Sequence, residues 1–491
     1  MCLDEEKPMT PDITSAIFSA LGHVPTADQE RAVEVVSRFL SEREDMSVMV
    51  LRGAAGTGKT SLAAAIVGSL RRWGMKMVLL APTGRAAKVF SLYAGSKAFT
   101  IHRRIYRQRT AGDLSAFSLA FNSEKNALFI VDEASMIANS GGNSGSSGCN
   151  AGNSGGNGGA WADFGSGRLL DDLVSFVYSG TGCRLLLIGD HAQLPPVGQT
   201  VSPALSTDVL QQYGLKTFEA TLGEVVRQDS ASGILTNATI VRAMIESGGA
   251  PDGEPQLRLK GFADICRVGG DELIEQIASS FSRVGVDETM VVTRSNRLAN
   301  VYNRGIRHSV LDREEELSRG DQLVIVKNNY NALPKDSDIG FLANGDRCRV
   351  ERVRNIRQLY GLRFADAWLS LPDYDDCEIE TTVLLDTLLS ESAALTAEKQ
   401  SALYAAVAAD YADVAQKGER LRLMKADRHL NALQVKFGYA MTCHKAQGGQ
   451  WAHVYVDRGY MGAQAADNDY LHWLYTAFTR ATEKLFLVNF S

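Results

Sequence analysis

The residues with the clearest chemistry are Gly53-Ala54-Ala55-Gly56-Thr57-Gly58-Lys59-Thr60. They fit the pattern G-x-x-x-x-G-K-[ST], follow an apolar run at Met46–Leu51 and open a helical pattern from Lys59. Glycines at 53, 56 and 58 let backbone N–H groups turn inward around a polyphosphate. The helix start adds partial positive charge, so an anion is favoured over Thr57, Gly58, Lys59, Thr60 and Ser61. Lys59 would reach the β- and γ-phosphates, and Thr60 would offer its hydroxyl to Mg2+.

Two further apolar runs end in polar groups of the right kind. Ala127–Val131 leads into Asp132-Glu133-Ala134-Ser135. An acid at the C-terminal end of a strand, downstream of a phosphate loop, suits Mg2+ coordination. Asp132 would hold the ion, and Glu133 would orient or deprotonate the attacking water. Arg184–Ile188 leads into Gly189-Asp190-His191-Ala192-Gln193-Leu194-Pro195-Pro196. Gln193 could reach the γ-phosphate or the water from there, although the two prolines also describe a plain turn.

These groups need a rigid frame, and the chain supplies one. An amphipathic stretch at Ile13–Leu21 and a helix pattern at Ala27–Phe39 precede the phosphate loop. Val78–Ala81 is another buried apolar run. Short apolar strands separated by helical patterns predict a parallel sheet in an α/β layer. The signature repeats at Met290–Thr293, with a helix through Arg307, and returns at Val454–Val456 and Leu485–Val488. Between the two, Gln322–Lys327, Arg347–Arg352, Gly361–Phe364 and Glu378–Leu385 read as short β segments, followed by an Ala-rich helix at Ala393–Gln416. From Gly141 to Gly159, nine of 19 residues are Gly, four Asn and four Ser. Such a tract is expected to be a flexible loop, about 139–165.

Composition bounds the answer. The chain has 491 residues, 45% hydrophobic and 22% charged, which excludes wholesale disorder and predicts two to four domains. Fifty-one basic against 57 acidic residues give a net charge of −6, so a polybasic protein is excluded while a local basic groove is not. The seven cysteines form no C-x-x-C pair, which argues against a disulfide framework or zinc ribbon. There is no apolar run long enough to span a membrane and no basic, apolar leader, so a cytoplasmic protein is expected.

Taken in order, these motifs resemble the superfamily 1 helicases, and more closely their 5′→3′, RecD-like branch. The match runs from about Ala27 to Val488. Gln29, in Thr26-Ala27-Asp28-Gln29, resembles the family's adenine-contacting glutamine. The phosphate loop and Asp132-Glu133 match its first two ATPase motifs. Ala81-Pro82-Thr83-Gly84-Arg85-Ala86-Ala87 and Thr100-Ile101-His102 match its early DNA-contact motifs. Gly189–Pro195 matches the motif coupling γ-phosphate to DNA, and Val226-Arg227-Gln228 the element whose arginine faces the phosphates. Thr442-Cys443-His444-Lys445-Ala446-Gln447-Gly448 resembles the late DNA- and phosphate-contact motif. Tyr475-Thr476-Ala477-Phe478-Thr479-Arg480-Ala481 resembles the last, whose arginine is a finger.

The resemblance implies ATP and Mg2+ as cofactors, and an α/β fold of two RecA-like P-loop domains with ATP hydrolysed between them. A β-hairpin insertion at about 105–126 would be a strand-parting pin, and an SH3-like β insertion would occupy 320–431. The first RecA-like domain would span 26–205, after an N-terminal segment 1–25. The second would combine 206–319 with 432–491. The chain reads as a helicase core without the N-terminal extension of larger RecD-like proteins, and its Gly/Asn/Ser loop is longer than the family shows. Catalytic roles fall to Lys59, Glu133, Gln193, Arg227 and Arg480. Gln29, Gly53, Gly56–Ser61, Asp132 and Gly448 would bind nucleotide.

Strand contacts would come from Pro82, Thr83, Gly84, Arg85, Thr100, His102, Thr442, His444 and Lys445. Arg103, Arg104 and Tyr106 add to them, because arginine forks match phosphates and an aromatic can stack on a base. Arg347, Arg349, Arg352, Arg354, Arg357 and Arg363, against the single acid Glu351, form a second basic segment that is equally compatible with a solvated face. The expected partners are single-stranded DNA and tailed duplex DNA, held by backbone charge and stacking. Two alternatives stay open: a DNA-binding module that uses ATP as a switch, and an RNA helicase or other P-loop NTPase. The pathway, whether repair, recombination or mobile-element processing, is not encoded in the motifs, and neither are protein partners.

Overall fold

Apolar strands and amphipathic helices alternate from Ile13 to Leu222, and they build the first of two parallel sheets. The computed structural model describes residues 13–42, 46–108, 117–139, 166, 168–225, 232–249, 255–329, 331–333, 339, 341–459 and 467–490. Strand order in the first sheet is Ala98–Thr100, Met77–Ala81, Leu128–Val131, Arg184–Gly189, Ser47–Gly53, Lys216–Leu222, all parallel. The central strands read as unbroken apolar runs because helices cover both faces. Met49, Leu51, Leu79, Ile130 and Ile188 face helices Ile13–Leu21, Ala27–Ser41 and Lys59–Arg72. Val48, Val50, Leu80, Phe129 and Leu187 face helix Leu169–Tyr178. Fully burying one such side chain stabilises by about 1.5–3 kcal/mol.

The second sheet has the order Ala440–Thr442, Thr289–Thr293, Trp451–Asp457, Ala481–Val488, Ile265–Val268, again all parallel. Helices Gly233–Glu246 and Asn468–Phe478 cover one face. The other face merges into the core of a closed five-stranded barrel, Gln322–Ile325, Arg347–Leu359, Leu362–Leu371, Cys377–Leu384 and Leu433–Phe437. The junction is fixed by buried Asp321, which accepts Arg307 Nε at 3.0 Å, Arg313 Nη1 at 2.8 Å and the Tyr439 hydroxyl at 2.9 Å. The fold is thus two RecA-like domains with a β barrel inserted in the second. Tyr106–Gln108 pairs antiparallel with Phe117–Leu119 as a hairpin in the first domain. Among the described residues, no helix is long and apolar enough to cross a membrane.

Three expected boundaries shift. Lys216–Leu222 lies in the first sheet, beside Ser47–Gly53, and not in the second domain. It is an edge strand that alternates half-buried and exposed residues, so its apolar signal is weak. Leu433–Phe437, expected after the insertion, closes the barrel against Gln322–Ile325. Ile17 and Leu21, in the supposed N-terminal segment, are core residues of the first domain. The Ala-rich helix is shorter than expected, Ala397–Asp410, and a second helix, Lys417–Ala426, follows beyond the expected end. Nearly all of the Gly/Asn/Ser loop lies outside the described residues.

The barrel docks on the first domain at Gly84. A Cβ there would stand 2.3 Å from Asp346 Oδ1 and 2.9 Å from the Tyr374 hydroxyl. Gly84→Ala should therefore lower the unfolding midpoint by several degrees, since overpacking costs about 1–3 kcal/mol. Gly270→Ala, where a Cβ meets open space, is the control. Equal midpoints in differential scanning calorimetry would refute this docking contact.

Candidate active site and nucleic-acid interface

The phosphate loop leaves strand Ser47–Gly53 and ends at helix Lys59–Arg72. Gly56 and Gly58 take φ of +78° and +81°, a left-handed conformation that L side chains rarely adopt. No side chain caps the helix at Gly58. Its first-turn N–H groups are thus left to an anion. Thr60 and Ser61 are exposed at the mouth. Lys59 Nζ donates to the carbonyls of Gly53 and Ala54 and lies 3.8 Å from Asp190. A Cβ on Gly53 would meet Lys59 Cγ at 2.7 Å, so glycine is required for the lysine to pass. Thr57 Oγ1 donates to Ala54 O at 2.8 Å and braces the loop internally.

Gln29 stands behind this loop, fully buried. Its Nε2 donates to Thr57 O at 3.3 Å, and its Oε1 accepts Thr26 N–H at 3.2 Å in a capping box. Each atom keeps one further capacity, a second N–H on Nε2 and a second lone pair on Oε1, so these bonds leave the amide able to pair with an adenine edge.

Asp132 and Glu133 follow strand Leu128–Val131, one strand removed from the phosphate loop's own. Asp132 accepts the Tyr93 hydroxyl and the Glu133 N–H, the latter at 2.9 Å. Glu133 sits at φ +53°, uncommon for a residue with a side chain. Burial raises both carboxyls above their ordinary range. For Asp132 the Tyr93 hydrogen bond opposes that rise, and for Glu133 the Arg480 guanidinium does. Among the described residues no cluster of three or more His, Cys, Asp or Glu could hold a metal alone. One carboxylate and one hydroxyl, Asp132 and Thr60, are hard oxygen donors of the kind Mg2+ shares with substrate phosphates.

The second domain closes the other side. Tyr475 donates to Asp190 Oδ2 at 2.7 Å and accepts Ala55 N–H at 2.8 Å. Thr476 Oγ1 accepts Leu194 N–H at 2.7 Å, and Gln447 Nε2 donates to Leu194 O at 2.7 Å. His472 Nδ1 lies 2.9 Å from Ala192 O. Within the loop so gripped, Gln193 Oε1 is buried without a hydrogen-bond partner, as expected of an atom that serves a ligand. Arg480 is 2% exposed and donates to Thr476 O at 3.1 Å, Gly449 O at 3.2 Å and Thr479 Oγ1 at 3.2 Å. Arg227 lies outside the described residues, with Val226 and Gln228.

Asp190 and Tyr475 were not singled out by the sequence reading. Asp190 carried a signal, an acid ending an apolar strand as Asp132 does. Tyr475 carried only its place at the head of the last motif, because its partners are hundreds of residues away. Gly448, expected at the phosphates, lies between the two domains. At φ +72° its Cα faces Ala86 and Thr83, where a Cβ would stand 3.1 Å and 3.3 Å away, so it packs the two domains together.

The early strand-contact residues divide. Pro82 is buried, and Thr83 caps helix Gly84–Ala94 through the Ala86 N–H. Arg85 stacks on Trp451 at 4.1 Å and donates to Gln450 O, leaving its Nε and Nη1 buried without partners. Burial, then the charge of Arg347, pushes its guanidinium down to about 10. Thr100 caps the short helix Ile101–Ile105. His102 and Tyr106 do not form an open stacking platform. Both are buried: His102 is pushed down to about 4 by burial, and Tyr106 donates to Asp172 at 2.7 Å. His102 lies on that helix and Tyr106 opens the strand after it, where it packs in one core with Ile101 and Ile105. Arg104 is paired with Glu124, while Arg103 is half-buried over Phe99. Thr442 begins the short helix Cys443–Ala446, with Lys445 half-buried and His444 exposed. In the barrel, Arg352 and Arg354 lie exposed over Trp368 at 5.3 Å and 5.8 Å, while Arg347, Arg349, Arg357 and Arg363 are ion-paired.

Asp346, the carboxylate against Gly84, is pushed up to about 7 by burial, opposed by the Ala343 N–H and Tyr374 and assisted by Asp373. Its stabilising contribution is complete below the ordinary value of 3.8 and is lost as pH rises through 7. Asp346→Asn should therefore gain stability relative to wild type between pH 4 and 7, on the order of a few kcal/mol, and hold that gain above 7. Urea unfolding across that range is the check, and a constant difference between the two proteins would contradict it.

A phosphate loop on one parallel sheet, an acid pair two strands away on the same sheet and an arginine from a second sheet define a P-loop NTPase of two RecA-like domains. Residues 26–143 match the model of an AAA domain, and residues 437–488 that of a UvrD-like helicase C-terminal domain. The ATP-dependent RecD2 DNA helicase of Deinococcus radiodurans is 25% identical over 349 residues, 69% of this chain. The chain spans only 42% of that relative's length. The likeness to RecD-like superfamily 1 helicases drawn from the motifs holds. Among solved structures, the Bacteroides Pif1 helicase in complex with ADP-AlF3 and single-stranded DNA aligns over 95% of this chain and 93% of its own, at 13% identity and TM-score 0.46. The Pif1 helicase of Candida albicans aligns over 96% and 95%, at 16% identity and TM-score 0.40.

Proposed function

We propose that this chain is an ATP-dependent DNA helicase that translocates 5′→3′ on single-stranded DNA, hydrolysing ATP between its two RecA-like domains. The observation that carries the reading is the cleft itself. Lys59 and Glu133 lie on its first-domain side and Arg480 on its second-domain side, with Arg480 the main charge opposing the burial of Glu133. A ligand in that position must touch both domains, so its hydrolysis changes how they sit together.

The roles we assign come from the motifs and are supported by the cleft. Gly56–Ser61 cradle the phosphates and Lys59 neutralises them. Thr60 and Asp132 would hold Mg2+, which offsets charge on the phosphate oxygens. Glu133 and Gln193 orient the attacking water. Arg480 would face the transferring phosphoryl group, and the resemblance gives the same role to Arg227, which lies outside the described residues. Thr83, Arg85, Arg103, Thr442, His444 and Lys445 are the strand contacts, and Arg352, Arg354 and Trp368 extend that path over the barrel. Polarity rests on the RecD-like resemblance, as do a place in DNA repair or recombination and a cytoplasmic location.

The experiment is ATP hydrolysis with and without single-stranded DNA, followed by unwinding of duplexes carrying a 5′ or a 3′ tail. Stimulation by DNA with unwinding from the 5′ tail alone is expected. Stimulation without unwinding reduces the protein to a translocase. Preference for RNA, or no stimulation despite binding, rejects the reading.

A further inference from the structure

We propose that Tyr475 is the positioning residue through which the second domain sets the phosphate site of the first. Its hydroxyl holds two loops of the first domain at once: it accepts the Ala55 N–H of the phosphate loop at 2.8 Å and donates to Asp190 at 2.7 Å. Asp190 in turn lies 3.8 Å from Lys59 Nζ and accepts the Ala192 N–H at 3.0 Å. One phenol therefore links the phosphate loop, its lysine and the loop that carries Gln193.

The surroundings make this link specific to the closed arrangement of the domains. The segment Ala192–Leu194 is gripped from the second domain by His472, Thr476 and Gln447, and Ala192 and Leu194 are buried in that domain's core. Tyr475 is 1% exposed, and burial, then the charge of Asp190, holds its hydroxyl protonated far above neutral pH. It acts as a fixed donor and acceptor and takes no part in proton transfer. Arg480 lies five residues further on and donates back to Thr476 O. The element that delivers the arginine is thus the one that reads the phosphate loop. Opening the cleft removes the Tyr475 bonds and withdraws Arg480 together.

The inference rests on the hydrolysis reading for its kinetic consequence, and on geometry alone for its structural one. Tyr475→Phe keeps the ring and deletes only the hydroxyl. In the full chain with saturating single-stranded DNA, kcat should fall about ten-fold or more, because small misplacements of reacting groups are costly. The KM for ATP should move less than about three-fold, since the Gly56–Ser61 cradle is untouched. The double variant Tyr475→Phe, Asp190→Asn should be no slower than the worse single variant, as for residues acting in one network. Amide exchange, read by mass spectrometry without nucleotide, should quicken both in the segment containing Ala55 and in the segment Asp190–Leu194.

Unchanged kcat, or additive losses in the cycle, overturns the kinetic role. Unchanged exchange in either segment overturns the link itself. If the wild-type chain fails to hydrolyse ATP, the functional reading fails, and the exchange measurement still decides whether Tyr475 sets the two loops.

Discussion

Lys59→Ala should cut DNA-stimulated ATP hydrolysis by roughly 10²–10³-fold or more, the scale for deleting one preorganised donor to developing charge. Affinity for single-stranded DNA should stay within about two-fold, because phosphate-site and strand contacts are separate groups. The fold should survive the change. Among the described residues Lys59 Nζ donates to the carbonyls of Gly53 and Ala54 and pairs with Asp190, and Asp190 keeps the Tyr475 hydroxyl and the Ala192 N–H when the lysine is gone. His444, Lys445 and Arg103, the proposed strand contacts, sit on other elements and are untouched by the change. A coupled ATPase assay with fluorescence anisotropy on labelled oligonucleotide separates the two properties. Turnover at the wild-type rate would remove the phosphate loop from the mechanism. Loss of DNA binding in parallel would mean that the lysine supports the whole cleft.

How much of this was legible beforehand depends on how local each feature is. The phosphate loop was legible because its geometry is a matter of eight consecutive residues: positive φ at Gly56 and Gly58 is a property of glycine itself. The central strands were legible because burial on both faces demands unbroken apolar runs. Lys216–Leu222 was missed because an edge strand has one weakly covered side. The basic, aromatic run His102–Tyr106 suggested a strand-facing surface. Composition does not reveal which side of this short helix and of the strand after it turns inward, and His102 and Tyr106 are buried along with Ile101 and Ile105. Gly448 was read as a phosphate contact from its motif, while its neighbours Thr83 and Ala86 are known only once the two domains are apposed. The grip of His472, Tyr475 and Thr476 on a loop near residue 190 is of the same kind. Each bond spans some 280 residues of chain, a pairing that no window of sequence contains.

Arg480→Ala carries the second large effect, a loss of about 10³-fold or more in hydrolysis, the lower end of what such arginines contribute in other NTPases. The structure explains why the effect should fall on rate and not on nucleotide affinity. Arg480 is already desolvated and already held, by Thr476 O, Gly449 O and Thr479 Oγ1, so it spends no interaction on a ground-state ligand that the opposite domain cradles. Its planar fork is what those three acceptors fit. Lysine offers a point charge with no fixed plane and should recover little of the loss. Binding of fluorescent ADP should stay within a few-fold in both variants, while single-turnover hydrolysis collapses and 5′-tailed duplex remains wound. Hydrolysis within a few-fold of wild type would show that Arg480 is only a core residue of the second domain. The coupling of the two halves would then rest on other contacts such as those of Tyr475, because Lys59, the other cation acting on Glu133 among the described residues, lies on the first domain's own side.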